Sequence, residues 1–447
     1  MSRLLIIILC SVFSFSIFAE DVIESQAKVA PSRLPLEELR AFAEIFERIR
    51  TSYVEVVDDK TLLENAIHGM LSGLDPHSSY LGPEDFAELR NNTSGKFGGL
   101  GIEVGIQNGL IKVVSPIDDT PAKKAGILAG DIIIKIDGTP VKGIGLTKAI
   151  DKMRGEPGSE ISLTILREGE SQPLEIALNR AEIKITSIKH KLIDERFGYV
   201  RITQFQENTG ADIYAALQKL LADSKEGLAG VVLDLRNNPG GVLDAAVAVS
   251  DVFINEGTLV YTKGRVSNAD TNYPATVDTL MPDLPLVVLI NAGSASASEI
   301  VAGALQDHQR AVIMGTQSFG KGSVQTVLPL NGEHALKLTT ARYFTPNGRS
   351  IQAKGITPDI EVNQGKFTAV SESGYYKEAD LDGHLENDNN GADNLESKTT
   401  KKILSSSELI KKDFQLQQAL TVLKGMDIFT ANGQKVESEE SIEAPSL

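Results

Sequence analysis

The chain has 447 residues, a length that corresponds to about two to four domains, and 41% of its residues are hydrophobic, so most of it is expected to be globular. Its 44 basic and 60 acidic residues give a net charge of −16, which argues against nucleic-acid binding because phosphate repels an acidic surface. The one cysteine, Cys10, excludes disulfide frameworks, CxxC redox motifs and cysteine-based metal cages, and the histidines form no HExxH motif. We therefore expect no metal and no other cofactor.

The first 33 residues have the layout of a targeting segment. Arg3 precedes an almost unbroken apolar run from Leu4 to Ile17, and Ala19 supplies the small residue before a cleavage point. Because the run is short for a membrane span, we predict a signal peptide at 1–19 and a linker at 20–33, with an uncleaved anchor as the alternative. A mature chain without cysteine suits an oxidising compartment, so we expect export to the bacterial periplasm, where peripheral membrane contact is compatible with the sequence.

Residues 34–94 are predicted to form a helical region. Apolar residues recur at the spacing of an amphipathic helix at Leu36, Leu39, Phe42, Ile45, Phe46 and Ile49. A second helix is predicted from Thr61 to Leu74, and the turn Asp75-Pro76-His77 follows it. His77 is interpreted as a turn-stabilising residue and not as a ligand.

Residues 95–182 have glycine turns and short alternating strands, and they resemble a PDZ domain. The resemblance depends on an ordered set of motifs that starts at Gly99-Leu100-Gly101-Ile102 and includes Gly130-Asp131-Ile132-Ile133. It implies that Gly99, Leu100, Gly101 and Ile102 offer backbone N–H groups to the C-terminal carboxylate of a peptide, which then adds as a strand. The alternative is a β-barrel with glycine turns and no ligand.

Residues 183–362 alternate strands and helices, which predicts crossover units and a mainly parallel sheet. Short buried strands are expected at 231–235, 286–290 and 311–314, and turns follow them at 236–241, 291–297 and 315–322. Consecutive parallel strands end at the same edge of a sheet, where open α/β sheets usually place their sites. The three turns are therefore expected to meet.

The C-terminal part is predicted to comprise an acidic linker at 363–405 and a helix with a mobile tail at 406–447. The apolar stripe of the C-terminal helix must be buried against the core or against another subunit. Since the N-terminal helix also carries an apolar stripe, and neither helix is needed to complete the sheet, we expect a homo-oligomer.

Two side chains in these turns can carry chemistry. Ser296 lies at the start of a helix whose free N–H groups, such as that of Ala297, suit an oxyanion hole, although Ser296 and Glu299 also have the spacing of a capping box. Lys321 lies between two glycines, and burial there would favour the neutral amine that a general base requires. A phosphate-binding loop at 315–321 is disfavoured, because Gly322 replaces the Ser or Thr that holds magnesium and a strand follows.

Together with the PDZ-like region, three motifs resemble those of the C-terminal processing (tail-specific) serine proteases: Leu235–Gly241, Asn291–Glu299 and Phe319–Gln325. Asp75–Leu81 also matches the helical region of that family, and the resemblance covers roughly residues 34–362. It implies an α/β fold with a mainly parallel-sheet serine protease core, an N-terminal helical region, a β-barrel-like PDZ domain and a C-terminal helix.

The resemblance also implies roles for individual residues. Ser296 is the nucleophile, Lys321 is the general base, and Gln325 orients the lysine. The oxyanion hole is formed by the N–H of Ala297 and that of Gly240 or Gly241. Arg154 is a candidate for signalling from the PDZ domain to the site, whereas Glu299 and Asp307 are interpreted as a helix-start residue and a structural residue.

The predicted function is that of a periplasmic or exported serine endopeptidase that recognises substrate C-termini through its PDZ domain and degrades exported proteins. A catalytically silent PDZ scaffold is the alternative function, and a Ser-His-Asp triad involving His308 or His334 is the alternative chemistry. The expected partners are protein or peptide substrates with free C-termini and an activator or adaptor protein.

Overall fold

The computed structural model describes residues 35–107, 109–117, 119–266, 269–276, 279–331, 333–365, 378, 382–385 and 413–440. The predicted signal peptide 1–19, the linker 20–33, most of the linker 363–405 and the end of the tail, 441–447, lie outside the described residues. The chain divides into two units, Met1–Gly69 and Met70–Leu447.

The described part of the first unit is helical. Helix α1 is Leu36–Ser52, and helix α2, Asp59–Ser72, begins in this unit. Glu37 and Glu38 in the first turn of α1, and Arg50 in its last turn, complement the helix dipole. No residue of α1 is buried, and its apolar stripe is exposed at Leu36, Leu39, Phe42, Ile45 and Ile49.

The second unit begins with a short strand and a helix. Strand β1 is Ser79–Leu81, helix α3 is Pro83–Ser94, and strand β2 is Lys96–Gly99. Pro83 suits the first position of α3 because its missing N–H would have no partner there, and Gly95 ends the helix in the left-handed conformation at φ 68°.

The next segment folds as an antiparallel domain with its own core. Its elements are β3 Ile102–Gln107, β4 Leu110–Pro116, α4 Pro121–Lys124, β5 Ile132–Ile136, β6 Thr139–Pro140, α5 Leu146–Met153, β7 Glu160–Leu166 and β8 Leu174–Asn179. The sheet order is β3-β4-β5-β7-β8, so β3 is an edge strand that is open to a further strand. Strand β9, Ala181–Lys184, pairs with β2 and brings the two ends of this domain together.

The remaining elements form the core of the second unit. They are β10 Ile188–Ile193, β11 Phe197–Ile202, α6 Thr209–Asp223, β12 Gly230–Asp234, α7 Leu243–Asp251, β13 Thr258–Gly264, β14 Thr271–Pro274, β15 Leu286–Ile290, α8 Ala297–Asp307, β16 Val312–Gly315, β17 Ser323–Pro329, β18 Ala335–Phe344, β19 Ile360–Glu361 and α9 Phe414–Glu440.

The core contains two sheets of different kinds. One has the order β10-β11-β12-β15-β16-β19, and all its neighbours are parallel except β10 and β11. The other is antiparallel, and in it β18 pairs with β17, β1 and β13. The prediction of a mainly parallel core is therefore not confirmed for the core as a whole. Alternation of strands and helices identified the crossover units, but β17 and β18 form a hairpin whose strands have no intervening helix.

The parallel sheet is covered on both faces. Along β12 and β15 successive side chains alternate between two apolar clusters, so that Leu233 faces α6, α7 and α8 while Val232 faces α9. Helix α9 buries Leu416, Ala419, Leu420 and Leu423 in the second cluster. The expectation that the C-terminal helix is not needed to complete the sheet is therefore wrong, because the described part of this helix forms one layer of the core.

None of the described helices has the length and apolar character needed to cross a membrane. Within the described ranges, no group of three or more histidine, cysteine, aspartate or glutamate side chains is arranged to hold a metal ion.

Candidate active site

The three predicted loops lie together at the carboxyl ends of β12, β15 and β16, and they are cross-linked by hydrogen bonds. The carbonyl of Asn238 accepts from the N–H of Ala295 at 3.0 Å and from Oγ of Ser298 at 2.9 Å. The N–H of Phe319 donates to the carbonyl of Ser294 at 3.0 Å. Buried side chains and backbone groups therefore fix the relative positions of the three loops.

Ser296 is the N-cap of α8 and has an unusual backbone conformation. Its φ is 56° and its ψ is −113°, a combination that residues with a Cβ rarely adopt. Its N–H donates to Oε2 of Glu299 at 2.8 Å, which is the predicted capping contact. The strained N-cap exposes the serine side chain at the positive end of a helix, an arrangement that is frequent for nucleophiles.

Glu299 is fully buried and connects the loop that contains Ser296 to the loop that contains Lys321. Its Oε1 accepts from Oγ of Ser318 at 2.5 Å and from the N–H of Gly320 at 2.6 Å, and its Oε2 accepts from the N–H of Lys321 at 2.9 Å as well as from Ser296. Burial raises the pKa of this carboxyl group, and the four donors oppose that shift. The interpretation of Glu299 as only a helix-start residue was therefore incomplete.

The backbone donors of the predicted oxyanion hole lie beside Ser296. A Cβ on Gly240 would come within 2.7 Å of the Cβ of Ser296 and within 2.9 Å of the nitrogen of Ala297, so only glycine fits there. The N–H of Gly240 already donates to Oδ1 of Asn238 at 2.9 Å. No described residue accepts from the N–H of Gly241 or of Ala297. Of the two glycines, Gly241 therefore has the donor that is available to a substrate.

Lys321 is half-buried among charged neighbours. Burial lowers the pKa of its amine, and the positive charge of Lys337 lowers it further, whereas the charges of Asp75 and Glu299 oppose the shift. The hydroxyl of Tyr343, a fully buried residue of β18, donates to the carbonyl of Lys321 and fixes its backbone. The net effect is a pKa below the usual range of a lysine.

Gln325 lies on β17, and its amide is oriented by neighbouring hydroxyl groups. Its Nε2 donates to Oγ of Ser323 at 2.9 Å and contacts Oγ1 of Thr339, on β18, at 3.4 Å. In the described part of the chain, no group donates a hydrogen bond to Oε1 of Gln325.

These residues line one cleft of about 460 Å³. Its walls include Gly240, Gly241, Ser296, Ala297, Lys321, Gln325, Lys337 and Tyr343. All the predicted catalytic and oxyanion residues are thus brought together, although the loops that carry them are far apart in sequence. Sequence reasoning did not single out Lys337 or Tyr343, because nothing in the sequence placed β18 beside the cleft.

The predicted peptide-binding loop lines a separate groove of about 260 Å³ between β3 and α5. The carbonyl of Leu100 accepts from the N–H of Ala122, and that of Gly101 accepts from the N–H of Ile117. Among the described residues no acceptor pairs with the N–H groups of Leu100 and Gly101 themselves, which suits the capture of a carboxylate.

Arg154 lies in this second groove and not in the catalytic cleft. Its guanidinium carbon is 5.4 Å from the centroid of the Phe97 ring, and its Nε is buried without a hydrogen-bond partner in the described structure. The structure thus places Arg154 with the peptide-binding loop.

Comparisons with known proteins show which family the chain belongs to. Three family models match: peptidase family S41 over residues 196–362, the PDZ domain over 98–178, and the activating protease CtpB N-terminal domain over 14–85. A carboxy-terminal-processing protease of Bartonella bacilliformis is 55% identical over 329 residues, which cover 73% of this chain and 76% of that protein. The carboxy-terminal processing protease CtpB of Bacillus subtilis is 37% identical over 326 residues, which cover 72% and 67%.

Among solved structures, a photosystem II D1 C-terminal processing protease is 34% identical, with a TM-score of 0.43 over 73% of this chain and 93% of that one. The Bartonella relative suffices to decide the family. The chain belongs to the C-terminal processing serine proteases of peptidase family S41. It is a serine-type peptidase with a PDZ domain that acts on protein substrates, and a catalytically silent scaffold is not favoured.

Proposed function

We propose that the chain is an exported serine endopeptidase that recognises the free C-termini of its substrates and cleaves them with a Ser296–Lys321–Gln325 site. The observation that carries the proposal is that these three side chains line one cleft at the N-terminus of α8. The half-buried lysine, whose pKa is lowered first by burial and then by Lys337, supports its role as the base.

In the proposed reaction, neutral Lys321 takes the proton of Ser296 while Oγ attacks the scissile carbonyl carbon. The carbonyl oxygen becomes an oxyanion, and the N–H groups of Ala297 and Gly241 stabilise it. Collapse of the intermediate breaks the C–N bond, and Lys321 returns its proton to the leaving amine. Lys321 then activates a water molecule that hydrolyses the acyl-enzyme ester, which restores free Ser296.

The proposed recognition of the substrate uses the PDZ groove. The N–H groups of Leu100 and Gly101 bind the terminal carboxylate, Gly99 and Ile102 complete the loop, and the peptide extends along the edge strand β3. Arg154 is proposed to sense this ligand, because its side chain lines the same groove. A bound tail shifts the enzyme toward activity only if the active state binds that tail better.

The periplasmic location, an adaptor or activator, and a homo-oligomer remain part of the proposal. The exposed apolar stripe of α1 supports self-association, since such a stripe is usually covered. Light scattering on the intact chain and on a variant with Phe42 and Ile45 replaced by serine tests this point. Equal masses, both of a monomer, would contradict it.

The central test is cleavage of a reporter peptide by purified Ser296→Ala and Lys321→Arg variants. We expect both to lose activity, by up to about 10⁶-fold for the serine, because the nucleophile or the base is lost while arginine stays protonated. Lys354→Arg, at an exposed lysine, is the matched control and should retain activity. Parental rates for Ser296→Ala would refute the proposal.

The PDZ part is tested separately with matched substrates that have free or amidated C-termini. We expect slower cleavage of the amidated substrate, and Leu100→Asp should slow cleavage of the free-tailed one, because each change removes carboxylate binding. Identical rates for the two substrates would show that the groove does not bind the terminal carboxylate.

A further inference from the structure

We propose that Asp75 and Thr339 are positioning residues that determine which end of the Gln325 amide faces Lys321. The inference rests on the proposed Ser296–Lys321–Gln325 site and adds a function for the loop between α2 and β1. The three groups form a continuous line, since Oγ1 of Thr339 donates to Oδ1 of Asp75 at 3.1 Å and lies 3.4 Å from Nε2 of Gln325.

Hydrogen bonds from the neighbouring residues hold the side chain of Asp75 in one position. Its Oδ1 accepts from the N–H of His77 at 2.8 Å and from that of Ser78 at 3.0 Å, and its Oδ2 accepts from Oγ of Ser78 at 2.7 Å. The N–H of Thr339 donates to the same Ser78 oxygen at 3.1 Å. The loop is thus anchored to β18, where β1 also pairs.

The hydrogen bonds from Gln325 to Thr339 and from Thr339 to Asp75 have a defined direction. The hydroxyl of Thr339 has one proton, and the carboxylate of Asp75 can only accept it. Toward Gln325 the threonine oxygen can therefore only accept, so it selects the NH₂ end of the amide. Oγ of Ser323, at 2.9 Å, contacts the same nitrogen.

The direction of these hydrogen bonds also determines where the oxygen of the Gln325 amide lies. With Nε2 held by Thr339 and Ser323, Oε1 of Gln325 is left without a donor among the described residues. In that orientation Oε1 is free to accept an N–H of Lys321, which lines the same cleft, and such a bond would leave the lone pair of the neutral amine available to Ser296. A reversed amide would present N–H groups to the lysine and remove this acceptor.

The test measures kcat and KM of Gln325→Ala, Thr339→Val and Thr339→Ser with a reporter peptide. If Thr339 orients Gln325, the valine variant should lose about tenfold in kcat with little change in KM, and serine should restore kcat. Thr340→Val is the matched control, because its hydroxyl pairs with Thr326 on the same two strands and not with Gln325.

A double-mutant cycle shows whether Thr339 acts through Gln325. The double variant Thr339→Val, Gln325→Ala should be no slower than Gln325→Ala alone, because the threonine has nothing left to orient. Additive losses would overturn the inference. The melting temperature of each variant is measured alongside, and if Thr339→Val does not fold, Asp75→Ala provides the second test.

Asp75→Ala tests the direction of the hydrogen bonds. It removes the oxygen that accepts the threonine proton, so the hydroxyl of Thr339 can donate to Gln325 and favours the reversed amide, and kcat should fall. The same change removes a negative charge near Lys321, which also faces Lys337, Glu299 and His77. The acidic limb of kcat/KM should therefore move to lower pH, a shift that Thr339→Val should not produce.

The outcomes separate this inference from the proposed function. If Gln325→Ala loses activity while Thr339→Val and Asp75→Ala keep parental kcat, the positioning role is wrong and the catalytic site stands. If Ser296→Ala retains activity, the proposed function itself fails. If Gln325→Ala alone retains parental kcat, both the role of Gln325 and the inference fail, while the serine and lysine assignments are unaffected.

Discussion

The parallel sheet and the antiparallel sheet of the core contribute to the cleft in different ways. From the parallel sheet come Ser296 and the backbone donors of Gly241 and Ala297, which interlocked loops hold in place. From the antiparallel side comes Gln325, and Lys321 lies in the loop that connects β16 of the parallel sheet to β17 of the antiparallel sheet. The state of these two side chains depends on neighbouring charges and hydroxyl groups. The comparison teaches that backbone geometry fixes Ser296, the proposed nucleophile, whereas the charges of neighbouring side chains tune the pKa of Lys321, the proposed base.

Glu299 connects the two sides of the cleft. The variant Glu299→Ala should therefore have the largest effect on both stability and activity. It leaves the N–H groups of Ser296, Gly320 and Lys321 without their carboxylate, and each unpaired buried donor costs about 1–3 kcal/mol. We expect the free energy of unfolding to fall by about 3–5 kcal/mol and kcat/KM to fall at least ~100-fold. Denaturant titration and peptide cleavage measure the two effects.

The exposed Glu256→Ala is the matched control for that experiment and should change neither quantity. A Glu299→Ala variant with parental stability and activity would show that the two sides of the cleft are held together by other contacts.

Leu423→Ala should separate stability from catalysis. Leu423 of α9 is fully buried against the parallel sheet, where its Cδ2 lies 2.8 Å from the position that a Cβ on Gly230 would take. The resulting cavity should lower the free energy of unfolding by about 2–5 kcal/mol, with little change in kcat for the folded enzyme. The exposed Ile428→Ala on the same helix is the control, and an equal loss in both variants would contradict the burial of α9.

Lys337→Met, a change on β18 of the antiparallel sheet, should have the smallest effect, because it should change only the pKa of Lys321. Lys337 lines the cleft, and its positive charge lowers the pKa of Lys321 after the larger contribution of burial. Removing that charge raises the pKa of Lys321, so the neutral amine appears at higher pH and the acidic limb of kcat/KM moves to higher pH.

A pH–rate profile of Lys337→Met measured beside Asp75→Ala gives the sharpest form of this prediction, because the two shifts should have opposite signs. Shifts in the same direction would mean that the acidic limb does not report Lys321.

The sequence allowed the parallel half of the core to be predicted better than the antiparallel half. The strand at 286–290 was predicted with the bounds that the structure shows, because a continuous apolar run between turns is typical of a strand buried on both faces. The sequence also predicted the strand after the loop at 315–322, which is β17 in the structure, but it did not predict the partner strand β18, since a half-buried strand gives a weak hydrophobic pattern.

The candidate site was likewise predicted only in part from the sequence. Motifs in the loops identified Ser296, Lys321 and Gln325, and the structure places them in one cleft. The contacts of Thr339 and Asp75 could not be identified, because these two residues are 264 positions apart in the chain and Asp75 reaches Gln325 only through Thr339. The C-terminal helix was left between two interpretations for a similar reason: a stripe of leucines indicates burial but does not specify the surface that buries it.

The position of α9 has a consequence for the order of events during protein synthesis. Arg236, at the start of the Arg236–Gly241 loop, is paired with Asp413 just before α9, and these two residues are 177 positions apart. While the ribosome is still producing the residues between them, one face of β12, β15 and β16 has no covering layer and the guanidinium lacks one of its carboxylates. Until Asp413 and α9 have been synthesised, the loop that starts at Arg236 therefore lacks some of the contacts that hold it in the complete chain.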